Sequence, residues 1–194
     1  MKNFKDKKVL VVGMGKSGVA AVQALLKLEA LVYLQDAKEA SDMEPQLLAF
    51  LQGKIQGLYL GQDPDPSQTF DVLVLSPGVS PHMDFIERAK EQGAEIIGEL
   101  EIAYRVGQGN YVAITGTNGK TTTTQMLDSM LRAGGLRSAA VGNIGRPIIE
   151  ALNDEVAYDV LAVELSSFQL HWTHSLELHS AAVLNVHPDH LEWY

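Results

Sequence analysis

The stretch TGTNGKTT, residues 115–122, directly follows the apolar run Tyr111-Val112-Ala113-Ile114. A strand that ends in glycines and restarts as a helix exposes unpaired backbone N–H groups at the helix N-terminus, and such groups hold an anion. Gly116, Thr117, Asn118 and Gly119 supply the turn, Lys120 a mobile positive charge, and Thr121 or Thr122 a hydroxyl for a magnesium ion bridging two phosphates. The stretch is a nucleotide phosphate loop in outline. Only Thr117 and Asn118 separate Gly116 from Gly119, so the loop is shorter than the Walker A pattern.

A strand–turn–helix unit of this kind needs a sheet around it, and the rest of the chain supplies the strands. Apolar strand-like runs recur at residues 9–12, 31–34, 72–75, 94–97, 111–114, 139–141, 160–163 and 181–186, with 57–60 as a further short one. Helical patterns lie between most of them. Val19, Val22, Leu25 and Leu26 share one helical face, and Phe85, Ile86 and Ala89 share another that closes at Gly93. Continuous apolar strands alternating with helices predict parallel sheets covered on both faces.

Turn composition is densest at GQDPDPSQ, residues 61–68, which reads as a surface loop within one sheet. The domain boundary falls later. Gly98 ends a strand, a helix-like segment spans 99–106, and Gly107-Gln108-Gly109-Asn110 precedes the phosphate-loop strand. Two α/β domains follow, 1–98 and 99–194, and the ending Leu191-Glu192-Trp193-Tyr194, with no closing element, reads as an interruption.

At 194 residues, 46% of them hydrophobic and 20% charged, the chain can build one large or two small cores. Its net charge of −9 and pI near 5.0 argue against binding nucleic acids or anionic membranes, so a phosphate must be captured locally. The absence of cysteine excludes disulfides and thiolate metal sites and suits a reducing compartment. The basic start MKNFKDKK runs into a strand without a cleavage pattern, and no apolar stretch reaches membrane-spanning length, so a cytoplasmic protein is expected.

A second glycine turn, GMGKSG, places Gly13, Gly15 and Gly18 after the strand at 9–12, with Asp36 closing the next strand. This is the dinucleotide fingerprint, and the same turn serves NAD, the diphosphate of a nucleotide-sugar, or helix–strand packing alone. Ser76-Pro77-Gly78 ends another strand of that domain and would lie beside the glycine turn. In the second half, Glu164 ends the run at 160–163, placed like the carboxylate that holds magnesium in P-loop enzymes or, more plainly, like a helix-capping acid. Asn143 sits between Gly142 and Gly145, and Asn185-Val186-His187-Pro188-Asp189-His190 ends the last strand with groups suited to metal or phosphate contacts. All of these fall at carboxyl ends of predicted parallel strands, the edge where open α/β sheets bind ligands.

Together these motifs resemble the Mur ligases, the ATP-dependent amide-forming enzymes of peptidoglycan synthesis. TGTNGKTTT is similar to that family's shortened ATP loop. SPG at 76–78, NIG at 143–145, ELSSFQL at 164–170 and NVHPDH at 185–190 resemble the branch that adds D-glutamate to UDP-N-acetylmuramoyl-L-alanine. The likeness runs from Val9 to His190. It implies an α/β chain with a Rossmann-like parallel-sheet domain for the UDP moiety, followed by an incomplete P-loop-type α/β ATPase domain. A carbamylated metal-binding lysine and an amino-acid-binding domain would lie beyond the chain.

The resemblance also implies roles. Gly116 to Thr122 would cradle ATP with Lys120 on its phosphates; Thr121 and Glu164 would hold one magnesium, and His190 would help hold a second beside the transferring phosphate. Manganese would be able to replace magnesium. Lys120, Glu164 and His190 form the catalytic set. Gly15, Lys16, Ser17, Asp36, Ser76 and Gly78 would contact UDP, Asn143 and His190 the remainder of the UDP-linked substrate, and Ser166 the substrate or a metal-bound water. Lys16 stands where an apolar residue is common and Ala37 where a hydroxyl residue occurs, which bears on the uracil contacts. A monomer without nucleic-acid or membrane partners is expected. Two other classes stay open on the residues: an NAD-dependent oxidoreductase, which leaves TGTNGKTT unexplained, and a nucleotide-binding module without catalysis; within the resemblance, another Mur ligase with a different amino acid is the alternative.

Overall fold

The computed structural model describes residues 4–107, 109–155 and 157–191; the chain start at 1–3, Gln108 of the predicted linker, and Glu192, Trp193 and Tyr194 of the chain end lie outside the described residues. The chain divides into two compact units, Met1–Glu99 and Leu100–Tyr194.

The first unit runs β1 (Lys8–Val12), α1 (Lys16–Lys27), β2 (Leu31–Asp36), a 3₁₀ turn (Ala40–Asp42), α2 (Pro45–Leu51), β3 (Gly57–Leu60), β4 (Val72–Leu75), α3 (Asp84–Glu91) and β5 (Glu95–Gly98). Its sheet has the order β3-β2-β1-β4-β5, parallel throughout. Every residue of β4, and all of β1 after Lys8, is buried, as a sheet covered on both faces requires. The inner face of α1 differs from the predicted stripe. Gly18, Ala21, Val22 and Leu25 are buried, whereas Val19 and Leu26 are half-buried at its margins. The cause is close approach: a Cβ on Gly18 would lie 1.9 Å from the Gly13 carbonyl oxygen, so the helix rests on its smallest residues. In α3, Phe85, Ile86 and Ala89 are buried together, the predicted apolar face.

In the second unit α4 (Glu99–Val106), which starts at the boundary, precedes β6 (Tyr111–Thr115), α5 (Lys120–Ala133), β7 (Ser138–Gly142), α6 (Ile148–Ala151), β8 (Val160–Glu164), α7 (Ser167–His171) and β9 (Ser180–Val183). The sheet order is β7-β8-β6-β9, again all parallel. Both units therefore belong to the predicted α/β class. The five residues of β8 are all buried, while the four of the edge strand β9 are all exposed. Glu101 on α4 is fully buried, where its carboxylate accepts from Arg105 Nε (2.7 Å), Ser175 Oγ (2.6 Å), Ser175 N (3.0 Å) and His174 N (2.8 Å).

The last strand is shorter than the predicted 181–186. β9 ends at Val183, and after Leu184 N donates to Thr115 O (2.9 Å) the chain leaves the ladder, because residues 185–187 bond instead to the loop that follows β6. Among the described residues no helix is long and apolar enough to cross a membrane.

Candidate functional site

In the first unit the chain steps outward from β1 to β2 and β3, then returns to β4 on the other side of β1. The crevice outside the carboxyl ends of β1 and β4 is thus a topological switch point, the ligand position of open α/β sheets. Both predicted turns meet there, and Ser76 Oγ donates to the Gly13 carbonyl oxygen at 3.0 Å. Gly13 adopts φ +91°, and a Cβ on it would press on Ser76 at 3.0 Å. By contrast, a Cβ on Gly15 or Gly78 would meet nothing within 4 Å, so these two glycines present bare backbone to open space.

Asp36 takes part in this turn directly. Its Oδ2 accepts from Met14 N at 2.6 Å and its Oδ1 from Lys38 N at 2.9 Å, so the carboxylate ties the end of β2 to the middle of the glycine turn. Gly15 is the N-cap of α1, and the N–H groups of Lys16, Ser17 and Gly18 precede the first helical bond, from Val19 N to Gly15 O at 3.0 Å. The first turn holds a lysine and no acid. A cation there opposes the helix dipole by about 0.3–1 kcal/mol, a cost that a bound anion reverses.

The second unit repeats this arrangement. α5 starts at Lys120 with no acid in its first turn and with Gly119, at φ +83°, as its N-cap. The N–H groups of Lys120, Thr121 and Thr122 precede the first helical bond, from Thr123 N to Gly119 O at 3.0 Å. Thr121 and Thr122 are exposed in that turn. Lys120 Nζ donates to Gly116 O (2.8 Å) and Thr117 O (3.0 Å), which lays the ammonium across the loop.

The register places Ile114 and Gly142 on either side of Glu164, so the phosphate loop, Glu164 and Asn143 share the carboxyl edge of the sheet. Glu164 is 2% exposed. Its Oε1 accepts from Asn143 Nδ2 at 2.8 Å, and its Oε2 is buried without a hydrogen-bond partner among the described residues. An orphaned carboxylate oxygen beside a phosphate loop fits a hard cation, which takes oxygen ligands and completes its shell with phosphates and waters. Among the described residues no three His, Cys, Asp or Glu side chains converge as a metal cluster.

A cavity of about 470 Å³ at this edge is lined by Gly116, Thr117 and Lys120 on one side, and by Asn143, Ser166 and His190 among others. Thr121 and Glu164 are not part of its wall; Glu164 is linked to it through Asn143. Ser166 caps α7, accepting from Gln169 N (3.2 Å) in a capping box, which occupies the hydroxyl that sequence assigned to the substrate or a metal-bound water. His190 adopts φ 50° and its ring lies 4.9 Å from that of Phe168. A left-handed non-glycine residue at a cavity wall is a constrained one.

Sequence reasoning missed Asn185. Its carbonyl accepts from Thr117 N (3.2 Å), its Oδ1 from Asn118 N (2.9 Å), and its Nδ2 donates to Asn118 O (2.9 Å). An amide side chain near the end of the predicted strand at 181–186, in the same motif as His190, was the signal available.

The comparisons with known proteins fall on both units. Residues 7–98 match the family model described as Mur ligase MurD-like, N-terminal domain, and residues 114–194 match the Mur ligase middle domain. A protein of Frankia casuarinae named UDP-N-acetylmuramoylalanine--D-glutamate ligase is 49% identical over 187 residues, covering 96% of this chain and 40% of that protein. One of the same name from Streptomyces avermitilis is 44% identical over 197 residues, covering 100% and 42%. The chain therefore spans about two-fifths of the length of the curated relatives it matches. Among solved structures, the UDP-N-acetylmuramate:L-alanyl-gamma-D-glutamyl-meso-diaminopimelate ligase from Neisseria meningitides shares the fold, with a TM-score of 0.55, 21% identity, and coverage of 97% of this chain and 63% of that one. With Mur ligase models matched on both units and such relatives along nearly its whole length, the chain belongs to the Mur ligase family.

Proposed function

We propose that the chain is the UDP-substrate-binding and ATP-binding portion of a longer cytoplasmic ligase that adds D-glutamate to UDP-N-acetylmuramoyl-L-alanine. Residues 1–98 take the UDP moiety and 99–194 begin the ATPase domain. The observation that carries this is the pairing, at one sheet edge, of a short phosphate loop ending in Lys120 with the buried, half-satisfied carboxylate of Glu164.

An amide cannot form from a carboxylate by direct loss of oxide. A carboxylate oxygen of the alanyl group attacks the γ-phosphorus of ATP, ADP leaves, and an acyl phosphate results. The D-glutamate amine attacks its carbonyl carbon, and the tetrahedral intermediate expels phosphate. Negative charge gathers in both steps and must be met by preorganised donors. Lys120 and the N–H groups of Lys120, Thr121 and Thr122 face the phosphates, and Glu164 with the Thr121 hydroxyl would hold magnesium, which neutralises phosphate charge when bound. His190, which lines the same cavity as Lys120, is assigned to the substrate carboxylate and a second magnesium. In the first unit the first-turn N–H groups of α1, with Gly15, Lys16 and Ser17, take the diphosphate, while Asp36 and Ser76 hold the turn in shape beside the UDP moiety and Gly78 offers it open backbone. The incoming amino acid is assigned to the part of the longer protein outside these residues.

The test is ligation by the full-length ligase with ATP, magnesium, UDP-N-acetylmuramoyl-L-alanine and one amino acid at a time, read by product mass and phosphate release. Only D-glutamate is expected to give an amide, with one phosphate released per amide. Turnover with another amino acid and none with D-glutamate would overturn the substrate assignment.

A further inference from the structure

Asn185 stands just beyond β9, 67 residues from the loop it touches, and it acts on that loop as a short strand would. Its side-chain amide both accepts from Asn118 N and donates to Asn118 O, each at 2.9 Å, while its carbonyl accepts from Thr117 N at 3.2 Å. The adjoining link is also reciprocal. Thr117 Oγ1 accepts from His187 N at 2.9 Å and donates to His187 O at 3.2 Å, which uses both capacities of one hydroxyl. Gly116, at φ +136°, leaves no room between them: a Cβ there would sit 2.9 Å from Asn185 O.

Two consequences follow. The N–H groups of Thr117 and Asn118 are engaged by Asn185, which leaves the donors of the first turn of α5 among those that can face a phosphate. The segment bonded to the loop continues through His187 and Asp189 to His190, all of which line the same cavity. Any displacement of the loop is therefore carried into the position of His190.

We propose that Asn185 is the positioning residue of the phosphate loop: it fixes which amides meet the nucleotide and couples nucleotide binding to the segment that carries His190. This rests on the assignment of the loop to ATP. Losing the two side-chain hydrogen bonds to Asn118 corresponds to about a tenfold loss of nucleotide affinity.

The experiment compares the full-length ligase with its Asn185→Ala and Asn185→Asp forms. Three quantities are read: KM for ATP, Kd for UDP, whose turn is assigned to the first unit, and hydrogen–deuterium exchange of peptide 184–191 with and without the magnesium complex of adenylyl-imidodiphosphate. Expected are a KM for ATP raised about tenfold or more in both variants, an unchanged Kd for UDP, and nucleotide-dependent protection of 184–191 in the wild type only. Asn185→Asp is isosteric, so it keeps the measurement available if the alanine form folds poorly. A general structural defect would raise the KM for ATP and the Kd for UDP together, and that result would overturn the proposal. So would a KM for ATP within twofold of wild type, or equal protection in the variants. If the analogue fails to bind the wild type, the ATP assignment itself falls, and the coupling with it.

Discussion

Asn143 grips Glu164 at two points: its backbone N–H donates to the Glu164 carbonyl oxygen at 2.9 Å, and its side-chain Nδ2 donates to Oε1 at 2.8 Å. The end of β7 thereby fixes both the backbone and the carboxylate at the end of β8. Gly142 makes the grip possible, since at φ +101° a Cβ would lie 2.4 Å from the Glu164 carbonyl oxygen. One carboxylate oxygen is held and the other, buried, has no hydrogen-bond partner among the described residues. Leaving a buried acceptor unsatisfied costs about 1–3 kcal/mol, and more when it is charged.

If that oxygen is a magnesium ligand, Glu164→Gln in the full-length ligase keeps the shape of the side chain but weakens metal binding, because a neutral amide is a poorer ligand for a hard cation. Activity should fall and be partly restored by raising magnesium. Asn143→Ala, which frees the carboxylate without removing it, should raise the magnesium requirement less. Steady-state rates across a magnesium series check both, and an activity loss equal at every concentration would rule out the metal role.

Lys120→Ala removes the charge that lies across the loop through Gly116 O and Thr117 O. Losing a preorganised charge on transferring phosphates commonly forfeits about 2–4 kcal/mol of transition-state stabilisation. Ligation is therefore expected to drop by about two to three orders of magnitude. Binding of UDP-N-acetylmuramoyl-L-alanine, measured by calorimetry, should stay near normal because its turn belongs to a different unit. Near-normal turnover would refute the assignment.

What the chain revealed before folding was local. TGTNGKTT, the glycines of GMGKSG and the apolar runs of β1, β4, β6 and β8 each state their conformation within a few residues, so the α/β class and the strand–turn–helix units were legible. The partners of polar side chains were not. Asn185 acts on Asn118 across 67 residues, and only the pairing of β6 with β9 brings them together. Asp36 reads as a UDP contact, and that its carboxylate also accepts from Met14 N was not legible in the sequence. The predicted strand at 181–186 failed after Val183 for the same reason: Leu184 and Val186 continue the apolar pattern, but the backbone at Asn185 and His187 is claimed by the loop. Glu101, an acid in the middle of a helix, would ordinarily be a solvated residue; its burial depends on His174 and Ser175, more than 70 positions away.

That buried carboxylate makes a pH prediction. Burial pushes the Glu101 carboxyl up, but the donors from Ser175, His174 and Arg105 together outweigh it and hold it below the ordinary value. Asp154 is held down to about 2 by hydrogen bonds from Arg146 and Tyr158. A depressed folded value means stabilisation that is complete above the unfolded carboxylate range near pH 4 and is lost as pH falls through the folded value. Glu101→Gln should lower stability by about 2 kcal/mol at neutral pH, since it removes hydrogen bonds to a charged group. The gap to wild type should narrow below roughly pH 4 as the wild-type carboxylate takes up a proton. Urea midpoints across pH 7 to 3 test this; a gap that stays constant over the whole range would contradict it.

The central claim, that this sheet edge activates a carboxylate by phosphoryl transfer, is tested most directly by isotope transfer. The full-length ligase is given UDP-N-acetylmuramoyl-L-alanine labelled with ¹⁸O in its alanyl carboxylate, together with ATP, magnesium and D-glutamate, and the released phosphate is analysed by mass spectrometry. The account predicts that each phosphate carries one labelled oxygen, because the carboxylate oxygen that attacks the γ-phosphorus departs with it, and that Lys120→Ala slows release of labelled phosphate to the same extent as ligation. Unlabelled phosphate accompanying a stoichiometric amide product would contradict it.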